Sequence, residues 1–298
     1  FVLGIRPGHI FLLVAALVIS LQPLKFRQFE ILRMLNGDTY AGRLQHPDLL
    51  ELSARHSLKK PGRVVTLPES REGWNLRSML PAFRPGAAAM YPLETLDGLN
   101  QLLPHRFHAL WRIVRREDYR QFADGRRPHQ ERFSLQANYA YLPDVSDMFD
   151  PPLRQGGCSK PKGSLNLRDF IYVPVLSLYG VRYVISPVPL DGPGVSLLSS
   201  SVRDDQVSIR CANVWEKLRF QFAGGFLGPI LYVYENTGAF PPAFLVRDVV
   251  IHENQLSVLD DIARSDEDRL RTTAFVSKTD IDADVLAGLS MLERNPEG

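Results

Sequence analysis

The sequence predicts an α/β protein: a mixed sheet with flanking helices, preceded by one N-terminal transmembrane helix. Three observations carry this expectation. Helix-like and strand-like segments alternate from residue 46 to residue 289, the pattern of a sheet covered by helices. The strand-like segments are short, rich in β-branched and aromatic residues, and stopped by Pro or Gly. One long apolar run, residues 10–21 (IFLLVAALVISL), precedes them all. Two parts follow from this: residues 1–29 as the end of a transmembrane region, and residues 30–298 as an α/β domain with an irregular insertion near 115–165.

The apolar run comes first. Twelve residues at a helical rise span about 18 Å, short of a hydrocarbon core about 30 Å thick. Continuing the helix to Phe29 brings the span to about 30 Å. Lys25 and Arg27 then reach the far interface on their apolar stems. Pro23 falls in the last third, a position membrane helices tolerate. Arg6-Pro7-Gly8-His9 reads as a tight basic turn, and the charge rule places Arg6 on the cytoplasmic side and the remainder outside. Position 1 is Phe, so the chain is expected to be a piece of a longer protein and this run its last span. Two other readings stay open. A soluble protein could bury such a helix. A signal peptide is disfavoured by the absence of an initiating Met and of a small-x-small cleavage site.

Residues 46–56 (HPDLLELSARH) predict a helix, with Pro47 at its first position and Asp48 and Glu51 near its positive end. Residues 63–67 (RVVTL) predict a strand closed by Pro68, and residues 87–91 a second one. Leu99, Leu102, Leu103, Phe107, Leu110, Trp111 and Val114 form a helical stripe that Pro104 interrupts. Residues 115–163 look irregular, with Arg115, Arg116, Arg120, Arg126, Arg127 and Arg132 before a Pro- and Gly-rich stretch. That basic part suits lipid phosphates, although a solvated loop is the plainer reading.

Residues 169–179 predict a helix starting near Pro174 and stopped by Gly180. Residues 181–186 (VRYVIS) predict a buried strand before Pro187 and Pro189, and residues 191–201 a loop. Strands are expected at 229–234 and 243–251, joined by a turn-rich connection at 235–242. A helix at 255–263 is capped by Asn254, a strand covers 272–277, and a short helix covers 280–289.

Composition narrows the function classes. There are 35 basic and 33 acidic side chains, a balance that leaves no nucleic-acid footprint. Two cysteines cannot make a disulfide scaffold; Cys158 and Cys211 could pair outside the cytoplasm or stay inert. No dinucleotide, P-loop, nucleophile-elbow or C-x-x-C motif is present. His252-Glu253 opens like a zinc-protease motif, but Leu256 stands where the second imidazole must be. Asp280, Asp282 and Asp284 alternate like a calcium loop, yet Val285 and Met291 occupy its Gly and Glu positions. Asp144, Asp147 and Asp150 lie in a Pro-rich loop, where carboxylates alone prove no acid/base chemistry. No catalytic residue, metal ligand or cofactor is therefore assigned.

Weak substrate-binding candidates remain. Asp97, Asn100 and Arg106 flank the start of the amphipathic helix, and Glu235 and Asn236 sit where a strand ends. Strand ends are where α/β sheets bind ligands. The plainer structural reading makes Asp97 a cap, Asn236 a turn residue and Glu235 a surface acid.

Four segments in order carry a family resemblance: 61–65 (PGRVV), 91–107 (YPLETLDGLNQLLPHRF), 180–186 (GVRYVIS), and 232–236 (YVYEN) followed by 241–244 (PPAF). Together they resemble the extracytoplasmic part of YfhO-type bacterial membrane proteins, which are similar to GT-C glycosyltransferases. Leu99 replaces the family's Tyr, and Arg182 its Lys. The resemblance implies a polytopic membrane enzyme that moves a sugar from a polyprenyl-phosphate carrier to a cell-envelope acceptor. It places the catalytic acid on an early loop outside this chain, so the fragment itself is expected to lack catalysis. Membrane lipid is the other implied partner, and the cell membrane, with an extracytoplasmic soluble part, the implied location. The alternative is a non-catalytic, membrane-tethered binding or assembly module.

Overall fold

A computed structural model describes residues 47–58, 62–68, 91, 93–96, 105–120, 140–143, 145–148, 161–201, 208–209, 212–223 and 231–280. Their centre is a four-stranded mixed sheet. β1 (Arg63–Thr66) pairs in parallel with β3 (Val181–Ser186), β3 pairs antiparallel with β6 (Tyr232–Asn236), and β6 antiparallel with β5 (Val195–Ser200). Residues 93–96 extend the sheet beyond β1: Val64 N–H donates to Glu94 O at 2.7 Å and Leu96 N–H to Val64 O at 2.9 Å.

Both faces of this sheet are covered, because its central strands are apolar on both sides. On one face, α1 (Pro47–Leu58) sets the buried Leu49 and Leu52 over Val64, Tyr183, Ile185 and Val233, with Tyr91 and Leu93 beside them. On the other, α2 (His105–Val114) and α4 (Val173–Leu178) pack Trp111, Val175 and Leu176 toward Val65, Val184, Tyr232 and Tyr234. The alternation Leu231, Val233 against Tyr232, Tyr234 along β6 places one set in each cluster.

A second unit joins the α4 face. β7 (Asp248–His252) and β8 (Thr273–Ser277) run in parallel with full register, His252 opposite Ser277. Parallel strands need a crossover; here it is α6 (Gln255–Ile262) and α7 (Glu267–Thr272), which bury Leu259, Ile262 and Leu270 in the common core. A small parallel pair, β2 (Leu165–Asn166) and β4 (Leu190–Asp191), and the one-turn α3 (Leu167–Phe170) complete this side. α5 (Val214–Phe222) follows β5 in the chain.

The expected α/β mixed sheet is thus present, with local differences. The loop expected at 191–201 is the edge strand β5. Its serines and half-exposed leucines hide it from a pattern search, since an edge strand needs backbone pairing more than burial. The strand expected at 229–234 is shifted, so Glu235 and Asn236 belong to β6 rather than to a turn. The strand at 243–251 begins only at Asp248. The helix expected to start near Pro174 is α4, which begins at Val173 with Pro174 in its first turn; the separate one-turn α3 precedes it, with Ile171 and Tyr172 between them. α5 and α7 were not expected. Of the strand at 87–91 only Tyr91 is described, within a turn.

Of the basic stretch, the described arginines are engaged within the protein. Arg112 and Arg115 pair with Glu117, Arg116 lies over the Tyr172 ring at 5.7 Å, and Arg120 stands 3.6 Å from Asp260. Arg126, Arg127 and Arg132 lie outside the described residues, as do Cys158, Cys211, the helix at 280–289 beyond Asp280, and the apolar run at 10–21. Among the described residues no helix is long and apolar enough to cross a membrane.

Candidate functional site

The end of β6 holds two of the five candidate contacts. Alternation along the strand sends Glu235 and Asn236 to opposite faces. Asn236 is 2% exposed and fully engaged. Its Nδ2 donates to Ser177 Oγ at 3.0 Å and to Val181 O at 2.9 Å, and its Oδ1 accepts from Gly238 N–H at 3.2 Å. Phe240 N–H donates to Ser177 O at 3.0 Å. Arg271 of α7 then clamps the turn: it donates to Gly238 O and Glu267 Oε1, each at 3.1 Å, and covers the Phe240 ring at 4.3 Å. A Cβ at Gly238 would meet Glu267 Oε1 at 2.5 Å, so a larger residue there would make the Glu267 carboxylate shift. The Asn236 amide therefore ties β6 to α4 and β3, and Arg271 ties the turn to α7.

Glu235 is half-buried on the α1 face, opposite Tyr183 of β3 and Ser196 of β5. Because β6 is antiparallel to β3, its carboxyl end lies at the amino end of the β1–β3 pair. That is the end opposite to where open parallel sheets carry ligands. Arg106 stands in the first turn of α2, whose next residue, Phe107, meets the Tyr179 ring at 5.2 Å. Tyr179 closes α4 just before β3, so the start of α2 and the end of β6 occupy the same end of the sheet. Asp97 and Asn100 lie outside the described residues.

The β7–β8 unit carries a cluster not singled out in the sequence. Asp261 Oδ2 stands 3.2 Å from His252 Nε2 and accepts from Arg269 Nη2 at 2.8 Å. Phe275 backs the group, stacked on His252 at 6.4 Å and under the Arg269 guanidinium at 5.4 Å. The neighbouring carboxylate, Asp260, accepts from Tyr119 OH at 2.6 Å. His252 sits at the carboxyl end of a parallel strand, with its imidazole beside the Asp261 carboxylate. The signal that could have found it is helical position: Asp261 lies near the end of α6, within reach of the β7 terminus. Among the described residues no group of three or more His, Cys, Asp or Glu side chains could hold a metal ion.

Burial raises the phenols of Tyr232 and Tyr234 on β6 and of Tyr179 just before β3. Burial, with Tyr234 beside it, pushes the Tyr232 phenol up to about 12. Burial and then Asp191 raise Tyr234, opposed by the Leu190 N–H that donates to its oxygen at 2.7 Å. Burial raises Tyr179 further, against the pull of Arg63. All three remain neutral hydroxyls at physiological pH and act as packing groups. No family model, curated protein or solved structure matches this chain.

Proposed function

We propose that residues 30–298 are the extracytoplasmic α/β domain of a polytopic membrane protein resembling glycosyltransferases that use a lipid-phosphate-linked sugar, anchored through the apolar run at 10–21. The observation that carries this reading is where the resembling segments lie. Residues 63–65 of the first segment lie in β1, residues 181–186 of the third form β3 and residues 232–236 form β6, three neighbouring strands of one sheet. Tyr91 and Leu93, from the remaining segment, pack on that same sheet. The described parts of these stretches thus meet on one scaffold, which supports this reading. The domain serves as an accessory to catalysis elsewhere in the protein, helping to hold the polyprenyl-phosphate sugar or its cell-envelope acceptor. Its candidate contacts are Arg106 and Glu235 at the amino end of the β1–β3 pair, with Asp97 and Asn100.

The test is sugar transfer by the whole protein in membranes, using a labelled polyprenyl-phosphate donor. Glu235→Ala and Arg106→Ala are expected to slow transfer at least about tenfold, the scale of one lost charged contact, while circular dichroism stays unchanged. The second reading, a non-catalytic binding or assembly module, is favoured by Asn236, whose polar groups are all spent inside the fold. Under that reading both variants transfer sugar at the wild-type rate, and a loss shows instead in co-purification of partner proteins.

A further inference from the structure

We propose that α5 docks on the phospholipid surface of the bilayer that carries this chain, with Trp215 and Phe222 entering the headgroup layer and Arg219 taking a lipid phosphate. The inference rests on the membrane-tethered reading above and adds where the domain touches the bilayer. Nine residues, VWEKLRFQF, form a helix with a reciprocal cap: Glu216 N–H donates to Asn213 Oδ1 at 3.0 Å and Asn213 N–H to Glu216 Oε2 at 3.3 Å. The cap holds the Glu216 carboxylate at the helix start.

At 100° per residue, Trp215, Glu216, Arg219, Phe222 and Ala223 fall within one arc, and all five are exposed. Lys217, Leu218 and Phe220 lie off that arc and are partly covered. A surface helix ordinarily turns its aromatics inward. Here Trp215 is 80% and Phe222 88% exposed, the two largest exposed aromatics among the described residues. Arg219 sits between them on the same face and makes no ion pair among the described residues. An open, mostly apolar depression lined by Ile209, Ala212 and Phe220 together with Arg219 and Glu216 adjoins it.

Indole and phenyl groups flanking a guanidinium that has no ion pair among the described residues, with Glu216 held in the cap, match the chemistry of the membrane interface. Trp is enriched at headgroup depth, and Arg binds phosphate through its planar fork. Two aromatics and one cation bind a bilayer weakly on their own. A chain already tethered to that bilayer makes the contact intramolecular, so a weak surface suffices.

The experiment reconstitutes the full chain into vesicles of phosphatidylcholine with phosphatidylglycerol, a fraction of the lipid brominated near the headgroup. Tryptophan quenching is read for the wild type, Trp215→Phe and Arg219→Glu, and alkaline extraction independently reports anchoring. Of the three tryptophans, Trp111 is buried in the core; the difference between wild type and Trp215→Phe isolates position 215. The expected result is a bromolipid-quenched component that Trp215→Phe abolishes and Arg219→Glu reduces on vesicles containing phosphatidylglycerol. An anchored chain whose Trp215 is quenched by aqueous iodide as fully as in detergent, and not by bromolipid, overturns the docking and leaves the tether. Protection from both quenchers means that protein covers the face, a second copy or another segment of this chain, and also overturns it. An extractable chain whose Trp215 is still quenched by bromolipid keeps the docking and removes the anchored reading. An extractable, unquenched chain removes both.

Discussion

Asn236 and Tyr179 show how differently two buried polar side chains can matter. Every hydrogen-bonding group of the Asn236 amide has a partner, on α4, on β3 and in its own turn. Asn236→Ala strands Val181 O and Gly238 N–H, and each buried orphan costs on the order of 1–3 kcal/mol. We expect a loss of about 2–4 kcal/mol, read as a shift in the urea midpoint. The Tyr179 hydroxyl is buried without a hydrogen-bond partner among the described residues. Tyr179→Phe removes an unmet demand and keeps the ring contacts with Phe107 and Trp111, at 5.2 and 5.9 Å. It is expected to leave stability within about 0.5 kcal/mol or raise it. The sequence suggested Asn236 as a polar residue near a strand end, which it is. What could not be read was that Ser177 and Val181, more than fifty residues earlier in the chain, take up its Nδ2, because a hydrogen-bond partner is a property of the packed fold.

Helix ends were the most legible elements. Asn254 caps α6 as expected, its Oδ1 accepting from Ser257 N–H at 2.9 Å. Asn254→Ala should cost about 1 kcal/mol. Gly180 ends α4 at φ +69°, in the left-handed region where a Cβ is strained, and a Cβ there would lie 3.4 Å from Phe240 O. Gly180→Ala is expected to cost about 1 kcal/mol, measured by the same denaturation. α2 ends by the same device at Arg116, φ +54°, with stacking on Tyr172 in place of glycine's freedom, and so carried no stop signal. β5 and α7 went unread for related reasons. β5 is a serine-rich edge, and α7 is one short charged helix whose cap, Asp266, resembles any loop acid.

At the scale of the whole molecule, the sheet was legible in outline because β1, β3 and β6 are dense in β-branched and aromatic residues, but nothing local specifies the order β1-β3-β6-β5. The buried tyrosines give that sheet a pH limit. Their folded pKa values lie above the ordinary value near 10, with Tyr232 at about 12. The folded state therefore holds protons that the unfolded chain releases. Their contribution is complete below about pH 10 and is lost as pH rises toward 12, with a slope up to about 1.4 kcal/mol per pH unit for each tyrosine. Urea midpoints should be flat to about pH 9.5 and fall beyond it, with phenolate absorbance rising together with unfolding. Tyr232→Phe should make the fall shallower. The pairing of β1 with β3 has a further consequence, for biosynthesis. More than a hundred residues separate the two strands. At ribosomal speeds of about 5–20 residues per second, the newly made β1 waits roughly 6–23 s for its neighbour to emerge. Through that interval β1 can pair only with residues 93–96, and the neighbour that closes its other side is still to be made.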